Sequence, residues 1–131
     1  ILHIEIQNNN HKQMELRMMR YYTDIKFITT LPVKQYLIYI GKEKLRMNNY
    51  MKDFDFTYKY NIIDVKNIDC ETFIKMDTPE SLVLSILCDF KDKDEQKIIN
   101  YIIKRLREKT INNDVLFREY MLMLEELSEN R

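Results

Sequence analysis

The residues best suited to chemistry lie in the first stretch of the sequence, LHIEIQ. His3, Glu5 and Gln7 occupy alternate positions there, and alternate residues of a β-strand project from one face about 6.5–7 Å apart. An imidazole, a carboxylate and an amide would therefore share one surface. All three make hydrogen bonds, and the imidazole and the carboxylate can also transfer protons. The spacing alone is more typical of a solvated strand face, so a Glu-x-Gln pair by itself is a weak signal.

Standard catalytic motifs are otherwise absent from the 131 residues, which contain no glycine-rich phosphate loop, HExxH, GxSxG or metal-binding cysteine pair. Lys plus Arg and Asp plus Glu both number 21, so net charge does not indicate nucleic acid or an anionic membrane as a partner. Cys70 and Cys88 stand in apolar surroundings, which predicts buried free thiols in a reducing compartment. No apolar run approaches the roughly 20 residues that span a bilayer, so we expect a cytoplasmic protein without a membrane partner.

Strict alternation predicts that residues 2–7 form a half-buried strand with an apolar side of Leu2, Ile4 and Ile6. Asn10 is expected to cap a helix over residues 11–28. The apolar residues of that helix are spaced as a core stripe, namely Met14, Met18, Tyr21, Tyr22, Ile25 and Ile28. Residues 33–41 are mostly apolar on both faces and predict a strand inside a sheet. Residues 42–55 have no period and predict an exposed loop.

A third strand is predicted over residues 56–65, with one side formed by Phe56, Tyr58, Tyr60 and Ile62. Thr78 followed by Pro79 marks the start of a helix that should run to about Phe90.

Two further helices complete the sequence. Residues 91–109 carry acids in the first turn and Lys or Arg in the last. Their apolar face is Ile98, Ile99, Ile102, Ile103 and Leu106. Residues 114–128 should be capped by Asn113 and bury Val115, Leu116, Met123, Leu124 and Leu127. The order of strand, helix, two strands and three helices predicts a single α/β domain over residues 1–131, with helices packed on a small mixed sheet.

The opening strand and the helix after it, LHIEIQNNNHKQMELRMMRYYTDI, closely resemble the Rpn family of recombination-promoting nucleases, also described as PD-(D/E)XK nuclease-family transposases. In that family a strand of the form HIE-aliphatic-Q leads into a helix that carries M-x-x-R-M-x-x-Y-Y. The matching residues here are His3, Ile4, Glu5, Gln7, Met14, Arg17, Met18, Arg20, Tyr21 and Tyr22. The resemblance continues through LPVKQYLIYIGKEKLRM and FTYKYNIIDVKNIDCETFIKMDTPESLVLSIL to LEELSENR, and so covers nearly the whole chain.

The resemblance implies a restriction-endonuclease-like fold, in which residues 1–65 are part of the nuclease core and residues 66–131 form a C-terminal helical layer of the same domain. It implies DNA as the partner and Mg²⁺ or Mn²⁺ as the cofactor. Mg²⁺ takes oxygen ligands, keeps bound waters and can generate a water nucleophile. By the same resemblance, Glu5 would be the catalytic metal ligand and Gln7 would orient the attacking water.

The family's other metal ligand is an Asp on the preceding strand, whereas this sequence starts at Ile1. We therefore expect an N-terminally incomplete core that is inactive as this fragment. Asp64 and Asp24 are the acids that could substitute. Neither is expected to do so, because Asp64 belongs to the third-strand motif and Asp24 lies on the outer side of its helix.

Several other side chains could assist the site. Arg17 and Tyr21 stand at i and i+4 and can face each other, either to contact a phosphate, to support Glu5, or only to pack on the surface of the helix. His3 could approach the cleft, but a structural hydrogen bond is the expected role. A basic cluster follows the second strand and could touch a DNA backbone, although Glu43 interrupts it and a solvated loop is expected. That cluster is Lys42, Lys44 and Arg46.

Two functions follow from the sequence. The first is a metal-dependent DNA endonuclease that hydrolyses phosphodiesters with metal-activated water. The alternative is a non-catalytic DNA-binding or protein-association remnant of a transposase-like protein, which the balanced charge and the long helical tail favour. An incomplete sheet would also leave an edge and an apolar face that a second chain could cover, as in a homodimer.

Overall fold

The computed structural model describes all 131 residues, which divide into two compact units, residues 1–64 and 65–131. The first unit contains β1 (Leu2–Gln7), α1 (Met14–Ile28), β2 (Lys34–Tyr39), β3 (Tyr50–Lys52), β4 (Thr57–Lys59) and β5 (Asn61–Asp64). The second contains α2 (Cys70–Ile74), α3 (Pro79–Leu84), α4 (Glu95–Lys109) and α5 (Asp114–Ser128), with short 3-10 turns at Val65–Asn67 and Ser85–Leu87.

Three parallel strands form the sheet of the first unit in the order β1-β2-β5. The strand β2 lies in the interior of this sheet, as the sequence predicts. A separate antiparallel pair, β3 and β4, lies between β2 and β5 in the chain. The chain is therefore a mixed α/β protein, in which antiparallel pairing is confined to that two-stranded ribbon.

The third predicted strand is wrong as a single element. Residues 56–65 instead form β4 and β5, which pair with different partners on either side of Tyr60. The Tyr60 amide donates to the carbonyl of Asn49, and its buried ring joins the core. The expected loop over residues 42–55 likewise contains β3.

The alternation predicted for β1 is present, but its two faces are reversed in burial. The apolar side is exposed, with Leu2 at 60%, Ile4 at 49% and Ile6 at 60% of their full accessibility. The polar side is partly buried, because α1 packs over the face that carries Glu5 and Arg17 bonds to that residue.

The helix α1 supplies the core of the first unit through Met14 and Met18, which are both fully buried. The core cluster also contains Leu37, Tyr58 and Tyr60. The predicted Met stripe is therefore correct at these positions.

The ends of α1 differ from the prediction. The helix begins at Met14, so Asn10 lies too far from it to act as the cap, and its side chain bonds to the loop after β2. Ile28 is 85% exposed at the other end of the helix, so its predicted burial is wrong.

The second unit is helical. Thr78 caps α3 through a reciprocal capping box with Ser81, and Pro79 is the first helical residue, as predicted. The helix α3 ends at Leu84 and continues as a 3-10 turn, which is earlier than the expected end near Phe90.

The helix α5 matches its predicted position and is capped by Asn113, whereas α4 begins at Glu95, four residues later than predicted, and ends at Lys109 as expected. Ile98, Ile102 and Leu106 form the buried stripe of α4. In α5 only Leu124 is fully buried, whereas the side chains of Val115 and Met123 are 69% and 49% exposed, contrary to prediction.

Cys70 and Cys88 are both buried free thiols, as predicted. Burial raises the pKa of both thiols, to about 12 for Cys88.

None of the helices is both long and apolar enough to cross a bilayer. Whether the two units make up the single domain that the sequence indicates stays a prediction.

Candidate functional site

Glu5 and Gln7 are brought together on the partly buried face of β1. The Gln7 side-chain amide, Nε2, donates to Glu5 Oε1 at 3.1 Å. This contact follows from the strand, because residues two apart share a face. The carboxylate oxygen points toward α1, so the site lies between the first strand and the first helix.

Arg17 joins this pair from α1. Its Nη2 donates to Glu5 Oε1 at 2.7 Å, and its Nε donates to the Tyr21 hydroxyl at 2.9 Å. The hydrogen bond with Tyr21 is the main reason that the pKa of Arg17 is raised, with burial opposing it and the charge of Glu5 adding to it. Among the roles that the sequence leaves open for Arg17, the structure shows a direct contact with Glu5.

Both hydrogen bonds to Glu5 end on the same oxygen, Oε1. A carboxylate offers about four acceptor positions on its two oxygens, so these two donors leave part of its capacity unused. The amide of Gln7 is in the same condition, because its NH₂ group faces Glu5 and its carbonyl oxygen points elsewhere. The site therefore presents carboxylate and amide oxygens as acceptors, beside the Arg17 guanidinium that compensates the negative charge of Glu5.

Gln35 is the residue of this region that the sequence does not reveal. It lies opposite His3 in the register of β1 and β2 and is 4% exposed. Its Nε2 donates to the Met18 carbonyl at 2.9 Å and lies 3.0 Å from His3 Nδ1, while its Oε1 accepts from the Tyr58 hydroxyl. A lone amide within the apolar stretch VKQYLIYIG is the signal that could have identified it.

This network fixes the tautomer of His3. The Met18 carbonyl can only accept, so the atom of Gln35 that faces it must be the NH₂ nitrogen. The same nitrogen then donates to His3 Nδ1, which leaves the proton on Nε2. The imidazole also packs edge-on against Tyr21, with ring centroids 5.2 Å apart. His3 therefore occupies the structural hydrogen bond that the sequence indicates.

We expect nitrogen-15 NMR to show His3 in the Nε2–H tautomer at neutral pH, with a chemical shift at Nδ1 typical of an unprotonated, hydrogen-bonded nitrogen. In a Gln35→Met variant this preference should weaken, because the donor to Nδ1 is lost. His11 is the internal control, because its Nδ1 accepts from the Gln13 backbone N–H outside this network and its tautomer should not change in Gln35→Met. A dominant Nδ1–H tautomer of His3 would contradict this hydrogen-bond assignment.

The two acids considered as substitutes are placed differently. Asp64 pairs with Tyr39, which in turn pairs with Gln7, so Asp64 shares the face of the sheet but stands two strands away from β1. Asp24 is exposed on α1, on its outer side as expected. The hydrogen bonds to the Glu5 carboxylate come from Gln7 and Arg17. No three His, Cys, Asp or Glu side chains lie together in a way that could hold a metal ion.

Comparisons of the chain with family models, with curated proteins and with solved structures found no match.

Proposed function

We propose that this chain carries one side of the active site of a metal-dependent DNA endonuclease with a restriction-endonuclease-like core. The observation that supports this function best is the contact between Glu5 and Gln7 on one strand, with Arg17 held against the same carboxylate. Five residues matched to the motif by sequence lie together here, namely His3, Glu5, Gln7, Arg17 and Tyr21.

The donor atoms of these residues fall short of a whole magnesium site. Mg²⁺ takes hard oxygen ligands and is usually held by one or two carboxylates together with waters and substrate phosphates. Glu5 is the one carboxylate in the cluster, and Arg17 already compensates its charge. The family resemblance implies an Asp as a further metal ligand, so we propose that Glu5 is one of two acidic ligands. Bound metal would supply the activated water.

The residues of this chain have separate roles in the proposal. Gln7 donates its NH₂ group to Glu5, and its carbonyl oxygen can then accept a hydrogen bond from the attacking water and so orient it. Arg17 uses Nε on Tyr21 and one Nη2 proton on Glu5. The remaining guanidinium protons can donate to a phosphate oxygen, and the charge of Arg17 would balance that of the phosphodiester.

Plasmid nicking tests this function. We expect the 131-residue chain, in which Glu5 is the one carboxylate of the site, to leave supercoiled plasmid intact in Mg²⁺ or Mn²⁺, and a longer protein that combines this chain with a second acidic ligand to nick it. In the longer protein, Glu5→Gln should reduce nicking by roughly a hundredfold or more, since a metal ligand is lost. Glu5→Gln retains an oxygen that can accept from Arg17, and circular dichroism checks that it folds.

Asp24→Asn is the matched control, because it removes an exposed carboxylate from α1 and should leave nicking unchanged. Divalent-dependent nicking by the 131-residue chain that survives Glu5→Gln would overturn the proposal. Nicking by the longer protein that survives Glu5→Gln would also overturn it.

A second candidate is the non-catalytic association module, which the exposed face of the sheet favours. Parallel sheets are normally covered on both faces, yet Leu2, Ile4 and Ile6 are at least 49% exposed. Sedimentation velocity across a range of concentrations tests self-association directly. A monomer at every concentration would argue against a homodimer.

A further inference from the structure

The loop after β2 is held firmly against the connection between β1 and α1. Asn10 uses both ends of its side-chain amide for this purpose. Its Oδ1 accepts from the Arg46 backbone N–H at 2.7 Å, and its Nδ2 donates to the Lys44 carbonyl at 3.0 Å. The Tyr39 hydroxyl donates to the Glu43 carbonyl at 2.8 Å. Residues 41–46, here called the basic loop, are thus fixed by three bonds to their backbone.

The start of the basic loop passes directly over the end of the sheet. A Cβ at Gly41 would lie 2.4 Å from the Tyr39 ring and 2.5 Å from the Asn8 carbonyl oxygen, so only glycine fits there. Tyr39 is the register partner of Gln7, the last residue of β1. The loop therefore lies at the carboxyl end of the parallel strands, where open α/β sheets commonly bind ligands.

Positive charge is concentrated in the first unit. Residues 1–64 hold ten Lys and Arg against seven Asp and Glu, a net charge of +3, whereas residues 65–131 hold eleven against fourteen, a net charge of −3. The balanced charge of the whole chain hides this difference. The basic loop contributes Lys42, Lys44 and Arg46 to the positive unit.

A small cavity lies beside the basic loop. It encloses about 210 Å³, and Lys12 and Arg46 line it together with the polar side chains of Asn10 and Asn48. One acid, Glu15, also lines it.

The acid within the loop does not cancel its charge. Glu43 pairs with Arg46 at 2.8 Å, but both side chains are about two-thirds exposed, at 68% and 65%. Such a pair is screened by water and contributes little, so a phosphate can replace the carboxylate.

We propose that the basic loop, together with Lys12, binds the phosphodiester backbone of DNA at the carboxyl end of the sheet. This inference rests on the proposed function for its choice of DNA, and it assigns the surface that positions the substrate beside Gln7. Lys and Arg contacts to phosphate are independent of base sequence, so the surface fixes position rather than selecting a target. Asn10 acts as a positioning residue, because it holds the loop without reaching the phosphate itself.

Fluorescence anisotropy with a labelled DNA duplex tests the proposal on the whole chain, in EDTA so that no cleavage step is involved. The variant Lys12→Gln/Lys44→Gln/Arg46→Gln should bind about tenfold or more weakly, and the slope of log affinity against log salt should fall by about 2–3. Asn10→Ala should give an intermediate loss with unchanged circular dichroism, because the cations remain but the loop is released.

The matched control is Lys97→Gln/Lys104→Gln/Arg118→Gln, which removes the same charge from exposed positions of the second unit. It should change affinity by less than about twofold, because those side chains are outside the surface. No measurable binding of the duplex at low salt, or an equal loss in the control, would overturn the proposal.

The binding test is independent of catalysis. Loop-dependent binding in EDTA together with nicking that survives Glu5→Gln would overturn the proposed function and support the basic loop as a DNA surface. Glu5-dependent nicking together with binding that survives the triple loop variant would support the proposed function and overturn the basic loop as the DNA surface.

Discussion

Replacing Gln35 with Met should destabilise the first unit by about 2–4 kcal/mol, because one buried side chain makes hydrogen bonds to three separate groups and all three are lost together. Gln35 is 4% exposed and bonds to Met18, His3 and Tyr58. Burial raises the pKa of Tyr58, so its phenol remains a hydrogen-bond donor at all ordinary pH values. A thioether of similar shape fills the space of Gln35 but leaves that donor without an acceptor.

Urea unfolding followed by amide NMR measures this effect, since the signals of residues 1–64 and 65–131 are followed separately. Gln96→Met is the control, because Gln96 lies exposed on α4 and bonds only to Asn100 there. It should change the free energy of unfolding by less than about 0.5 kcal/mol. Equal effects of the two substitutions would contradict the importance of the Gln35 network.

Much of the candidate site could be predicted from sequence, because its contacts depend on local periods. The spacing of two in β1 places Glu5 beside Gln7, and the spacing of four in α1 places Arg17 beside Tyr21. The strand-helix-strand order then packs α1 on β1. These steps need only the repeat of each element and the order of elements along the chain.

Gln35 could not be found in this way, because its role depends on the pairing register of two strands. Only that register sets it opposite His3 and beneath α1. Its sequence neighbours are apolar, and an isolated Gln in a strand carries no information about which carbonyl or imidazole it will meet. Contacts of this kind are set by tertiary structure rather than by local pattern.

The burial of β1, whose polar face is covered and whose apolar face is exposed, shows a second limit of prediction from sequence alternation. Alternation establishes that Ile4 and Glu5 point to opposite sides, but not which side the next helix will cover. Hydrophobicity alone assigns the apolar side to the core. Here the ion pair between Glu5 and Arg17 and the buried amide of Gln35 lie under the helix instead, so polar contacts occupy the covered face.

The strand over residues 56–65 was wrong for a related reason. Its alternation is continuous, so nothing local indicates that the pairing partner changes at Tyr60. The prediction that Asn10 caps α1 is wrong for a different reason, because a residue type that commonly caps helices bonds to the basic loop here. By contrast, Thr78 was correct because its capping box and Pro79 act within a few residues of each other.

The second large effect is expected for Met18→Ala, which should destabilise the first unit by about 2–5 kcal/mol. Met18 is fully buried in the core cluster with Met14, Leu37, Tyr58 and Tyr60. Its truncation removes apolar contacts and leaves a cavity between α1 and the sheet. The higher helix propensity of Ala adds only a few tenths of a kcal/mol to the free energy of unfolding, so it cannot offset that loss.

Met123→Ala is the matched control, because it makes the same chemical change on α5, where the sequence predicts burial and the structure leaves the side chain 49% exposed. It should alter the free energy of unfolding by less than about 1 kcal/mol. The same urea titration followed by NMR measures both variants. A large loss in Met123→Ala with little change in Met18→Ala would mean that the core of the first unit does not lie under α1. Since Arg17 reaches Glu5 only through the packing of that helix, such a result would also remove the geometric basis of the candidate site.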